Sequence, residues 1–309
     1  MREGLRWLEA SEWLTALGCF EAAIRDREAR PWRDDGHAAW LLAGAWLNRS
    51  DVLRRLDPPR LEEAMESLNE AHERLAAVDP AAQTVYAARL ALASINRATL
   101  NYEMGDLPAA ERDFGRAAAV LEGAVIATAP SGRLLRIMLA VNHAHVRLDG
   151  GEPATAWAGL EEVSEQVRQA FEPDLTLRWN LARCRALSAL LAGPEPEKWL
   201  APTRQALRDG LKWAAALAPE SRLTRDLLRF GALHCRTHDA AFFAEFVSFC
   251  TALPGLLDDP VRRVDLAGTI LLAIRDLEMA TLTGGNPSDD AEAAMPLLKS
   301  LQHAHAAVG

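Results

Sequence analysis

Asn96–Ala117, NRATLNYEMGDLPAAERDFGRA, decides the fold when it is laid over Asn142–Val163, NHAHVRLDGGEPATAWAGLEEV. The two stretches align without gaps at an offset of 46 residues. Asn96 meets Asn142, Ala98 meets Ala144, Gly105 meets Gly151 and Ala110 meets Ala156. Phe114 falls on Leu160, and Ala117 on Val163. A further step of the same length towards the N-terminus reaches Ala64, Leu68 and Ala71. The segment WLTALGCFEAAI carries the same trio as Ala16, Phe20 and Ala23. Self-similarity at a period of this size marks stacked supersecondary units, each able to bury its apolar face only against its neighbours.

Each trio has the spacing i, i+4, i+7, which places its members on one face of a helix. The small–large–small order has a packing reason. Two small residues let neighbouring helices approach, and the bulky one between them fills the groove so formed. Gly105 and Gly151 are expected to end the preceding helix, since glycine enters the left-handed region without penalty. Asp106 and Glu152 follow them and suit the positive end of the next helix. Between Trp40 and Ala71 the pattern matches at both ends, with extra residues RSDVLRRLDPPR (Arg49–Arg60) expected between the helices.

The run N-x-A, Gly, A-x-x-x-F/L-x-x-A resembles a tetratricopeptide repeat. The likeness is explicit over about residues 1–165 and fades over 166–309. It implies an all-α fold, a right-handed superhelical solenoid of about seven antiparallel helix pairs in one domain spanning 1–309. In such solenoids the first helix of each pair lines a concave groove. Beyond the clear repeats, helices are expected from Leu175 to Leu191, Lys198 to Leu217, Leu223 to Cys235, His238 to Leu253, Val261 to Leu282 and Asp289 to Ala306, separated by Pro- and Gly-containing breaks.

Composition agrees. Ala and Leu dominate and there are only two Tyr, a bias towards helix and away from strand. A stack of repeats also avoids the ceiling of about 250–300 residues on a single core. The net charge of -9 lacks the basic stripe of a nucleic-acid binder. No run approaches the ~20 apolar residues of a membrane span, and MREGLRWLEASEW lacks the apolar core of a signal peptide. Four cysteines, none in a C-x-x-C pair, suit reduced thiols in the cytoplasm.

The recurring asparagines suggest binding. The resemblance sets Asn96, Asn142 and Asn180 on three first helices, where amide groups can pair with the C=O and N–H of an extended peptide; bracing of a neighbouring helix is the competing role. Thr99 and Tyr102, Met138 and His145, and Trp179 and Arg183 are expected to share the wall with them. Leu92, Ile95 and Val141 are expected on the same face. No pair of cations beside them forms a clamp for a terminal carboxylate. Among nine Trp, those at 7, 13, 32, 40 and 46 are expected mostly in the core. His234 and His238 are expected on different elements, and His303 and His305 at a helix end, so no metal site is expected. No nucleotide-binding, zinc-protease or serine-hydrolase motif occurs, and no cofactor is expected. These features point to a protein- or peptide-binding adaptor or scaffold, and secondarily to a peptide-responsive regulator of an effector, rather than to an enzyme. The Ala- and Leu-rich last helix is a face through which a second copy could pack.

Overall fold

The computed structural model describes residues 1–29, 35–76, 84–170, 172–217 and 221–237, with Phe246 and Val261 besides. Among these residues every regular element is a helix. The chain divides into two compact units, Met1–Val146 and Arg147–Gly309.

In the first unit the helices are α1 (Arg2–Glu9), α2 (Trp13–Glu28), α3 (Gly36–Arg55), α4 (Leu61–Ala76), α5 (Thr84–Glu103), α6 (Leu107–Glu122), the single turn α7 (Ala124–Ala127) and α8 (Pro130–Asp149), which crosses the boundary. From α1 to α6 each helix packs on the next, and α3 also touches α5. The second unit holds α9 (Pro153–Glu162), α10 (Ser164–Ala170), α11 (Pro173–Leu191), α12 (Pro196–Leu217) and α13 (Arg222–Thr237). Here α11 packs on α9, α12 and α13.

The trios occupy the cores. Ala64, Leu68 and Ala71 on α4 and Ala110, Phe114 and Ala117 on α6 are all buried, as are Ala156, Leu160 and Val163 at α9. On α2, Ala16 and Phe20 are buried, while Ala23 is half-exposed and Ile24 takes the inward place. Phe20, Leu68 and Ala71 share one cluster with Leu53 and Leu100; Phe114 belongs to a second with Ile95 and Leu135. A helix buries such a stripe because its 3.6-residue period returns those positions to one side.

The turns follow the sequence. Gly105 and Gly151 have φ of 84° and 77°. At the first, Gly105 N–H donates to Tyr102 O at 2.9 Å and Asp106 N–H to Asn101 O at 2.8 Å. At the second, Gly151 donates to Leu148 O at 3.1 Å and Glu152 to Arg147 O at 2.7 Å. Both closures satisfy carbonyls left open at the helix end. Asp106 then caps α6 by accepting from Ala109 N–H at 2.9 Å. A third closure of this type stands between α1 and α2, with Ser11 in the glycine place at φ 60° and Glu12 N–H donating to Trp7 O at 2.9 Å. No glycine marks this turn in the sequence.

The stretch Arg49–Arg60 is a correction. It was expected as an insertion between helices, yet Arg49–Arg55 continue α3. Nothing in those residues breaks a helix before Pro58, and Val52 and Leu53 are fully buried. As a result α3, α5 and α8 each have 20 residues, and α4 and α6 each have 16. The long period therefore comes from long helices.

In the second unit α11, α12 and α13 start within two residues of the expected places and end within two, with Leu207, Leu211 and Ala214 facing inward. The helices expected from His238 onwards, and His238, Cys250, His303 and His305, lie outside the described residues except for Phe246 and Val261; Trp32 lies outside them too.

Candidate functional site

The asparagines on the long helices of the first unit are in register. Asn48, Asn96 and Asn142 each stand seven residues before the last residue of α3, α5 and α8, so they leave their helices at one phase. All three are half-buried. Asn142 Nδ2 donates to Thr99 Oγ1 at 3.2 Å, and Thr99 Oγ1 donates to Ile95 O at 2.9 Å, which joins α8 to α5. Asn48 and Asn96 make no side-chain hydrogen bond among the described residues. Met138 and Tyr102 lean on the adjoining core cluster, and His145 is half-buried. Ile95 and Val141, expected on the wall, belong to the core.

Asn180 is placed differently. It is 1% exposed, its Nδ2 donates to Thr176 O at 2.9 Å, and its Cβ lies where a side chain on Gly210 would come. It also stands one turn before the register position of α11. Trp179 is buried and donates to Leu160 O at 2.8 Å. Arg183 pairs with Glu161 at 2.7 Å and lies 5.2 Å and 4.7 Å from the Trp157 and Trp179 ring centres. Trp179 and Arg183 fasten α9 to α11, and Asn180 lies against Gly210 of α12. They form an internal joint of the second unit, and Asn48 is the residue that completes the asparagine row of the first.

Behind each asparagine comes a strut. Arg49 follows Asn48, Arg97 follows Asn96 and His143 follows Asn142. Arg49 donates to Ser67 Oγ at 2.6 Å and to Glu21 at 3.3 Å. Arg97 grips Asp113 with Nε at 2.8 Å and Nη2 at 2.5 Å. His143 meets Glu111 at 2.7 Å and stacks on Phe114 with ring centres 4.8 Å apart. Ser67 and Asp113 are one period apart, so the two arginines reach equivalent places on α4 and α6. Each strut fixes the rotation of a long helix, and with it the direction of the asparagine beside it.

Asp113 is the most demanding of these groups. Its carboxylate is 4% exposed and accepts from Arg97, from Asn101 Nδ2 at 3.0 Å and from Arg116 Nη1 at 2.8 Å. A buried carboxylate survives only when so supplied. His72 on α4 lies within its field. Burial holds the His72 pKa below 6.5, helped by the charges of Arg97 and Arg116, while Asp113 opposes them. The unfolded chain therefore binds the His72 proton more tightly. The stability from neutral His72 is fully present above pH 6.5 and is lost as pH falls through the depressed folded value. His72→Gln is expected to flatten the urea-midpoint profile on the acid side of pH 6.5; an unchanged slope would count against this assignment.

Other candidates are weaker. An open cleft of about 500 Å³ over α2, α3 and α4 is lined partly by Glu21, Glu28 and Glu70, but these are paired with Arg49 and Arg74. Cys184 is buried, and burial pushes its thiol up to about 12, which leaves no thiolate at neutral pH. Among the described residues no group of three or more His, Cys, Asp or Glu is arranged to hold a metal ion, and no helix is long and apolar enough to cross a membrane.

No protein-family model, curated protein or solved structure matches the chain. The functional reading therefore stands on the residues themselves.

Proposed function

We propose that the chain is a tetratricopeptide-like solenoid of about seven helix pairs that serves as an adaptor, holding an extended segment of a partner protein along its first helices. The observation that carries this reading is the register of Asn48, Asn96 and Asn142 on helices of equal length, with the amides of Asn48 and Asn96 unused among the described residues. An amide offers both donors and an acceptor, so it complements a peptide backbone whatever the sequence. The struts supply preorganisation, which lowers the ordering cost of binding. Each asparagine–backbone bond contributes about 0.5–1.5 kcal/mol. A row of them gives modest affinity, and side-chain contacts along the segment set the specificity. Cys19 and Cys184, free thiols, fit a reducing cytoplasm.

The test uses a partner captured from the host and then purified. Asn48→Ala with Asn96→Ala is expected to weaken its binding by roughly tenfold at an unchanged melting temperature. Asn142 is left intact because it braces Thr99. Equal affinity for the double variant and the parent would remove the asparagine row from the binding surface.

A further inference from the structure

Arg89 on α5 is a cation with no carboxylate paired to it among the described residues. Its guanidinium carbon lies 3.6 Å from the centre of the Trp40 ring on α3, and its Nη1–H donates to Trp40 O at 2.6 Å. That is its one hydrogen bond among the described residues, and no carboxylate pairs with it there. Among the described residues, the other arginines over this unit's tryptophans differ: Arg49, over Trp46, reaches Glu21, and Arg55, over Trp13, reaches Asp51. Burial alone lowers the Arg89 pKa, to about 10, so it stays charged at neutral pH.

The surroundings hold the guanidinium in place. Gly44 on α3 leaves the space it fills, since a Cβ there would come within 2.6 Å of Arg89 Nη1 and 3.0 Å of Cζ. Trp40 is fixed in turn, with Nε1–H donating to Val85 O at 3.2 Å and its ring stacked on His37 at 5.7 Å between centres. An indole face beneath a guanidinium leaves the in-plane N–H groups as the directions along which an acceptor can approach.

We propose that Arg89, backed by Trp40 and seated on Gly44, is a subsite for a carboxylate on the bound partner, the side chain of an Asp or Glu. This rests on the adaptor reading and gives it a chemical specificity. A planar fork with unused N–H donors matches a carboxylate in a two-point contact. Half-burial strengthens the attraction relative to a solvated pair. The chain's net charge of -9 disfavours multiply charged anions more than a single carboxylate, which sets the side-chain acid ahead of a phosphate.

The test titrates the full-length protein with end-blocked Ala-Glu-Ala, with end-blocked Ala-Gln-Ala and with inorganic phosphate, reading the Trp40 indole N–H signal by NMR. Ala-Glu-Ala is expected to shift it saturably and to bind at least ~tenfold more tightly than Ala-Gln-Ala. Arg89→Gln is expected to abolish that preference. Gly44→Ala keeps the charge but displaces the guanidinium, and is expected to abolish it too while the melting temperature holds or rises, because Ala favours the helix interior over Gly. Equal binding of the two peptides, a preference surviving Arg89→Gln, or a stronger response to phosphate would overturn the proposal. Its failure leaves the asparagine test untouched. A carboxylate preference combined with partner binding indifferent to Asn48 and Asn96 would instead keep the subsite and reject the asparagine row.

Discussion

Asp113→Ala is expected to lower the unfolding free energy by about 3–5 kcal/mol, the largest effect of any single polar change considered. The reason is what it leaves behind. Arg97 has a side chain only 12% exposed and would lose both of its short bonds, with Asn69 Oδ1 at 3.5 Å as its remaining contact. Asn101 Nδ2 and Arg116 Nη1 would lose an acceptor as well. A buried cation without its anion costs far more than the pair contributed when intact. The carboxylate also raises the His72 pKa, so its removal is expected to move that pKa further down. Urea unfolding measures the first effect, and an NMR titration of His72 the second. A loss below ~1 kcal/mol would mean that the Asp113 network carries little of the stability.

Phe114→Ala is expected to cost a similar amount, about 3–5 kcal/mol, for a different reason. The ring is buried between Ala110 and Ala117 on its own helix and stacks on His143 of α8. Deleting it opens a cavity beside the two alanines and removes the surface on which His143 stacks. The same place in the repeat is Leu68 on α4 and Leu160 on α9, both fully buried. Phe114→Leu is therefore expected to cost only ~1 kcal/mol. If the alanine and leucine variants were equally unstable, the volume between the two alanines would not be what this position supplies.

The sequence made the second helices legible and the first helices only partly so. The small–large–small trio survives as a pattern because burial holds all three positions at once, and a gapless offset of 46 exposes it. The first helices are joined through pairs that change chemistry from repeat to repeat. Arg49 finds a serine where Arg97 finds an aspartate, so no residue type recurs at the partner position. Asn48 was missed because Ser50, not Ala, follows it in the N-x-A pattern, and no glycine marks the end of α3. Asn180-Leu181-Ala182 fits that pattern locally, yet Asn180 is buried against α12. What decides is distance to the helix end, and that cannot be counted until the helix is seen. Arg89 left no signal at all, since its meaning depends on Gly44 and Trp40 two helices earlier in the sequence and on no acid pairing with it among the described residues.

The central claim is that small residues at fixed places on the second helices let the hairpins close on one another. Two substitutions on α6 test it with identical chemistry, because Ala117 is fully buried and Ala119 is exposed. Urea unfolding of Ala117→Leu is expected to show a loss of about 1–3 kcal/mol from overpacking, and Ala119→Leu a change within ~0.5 kcal/mol. Equal changes in the two variants would contradict the account.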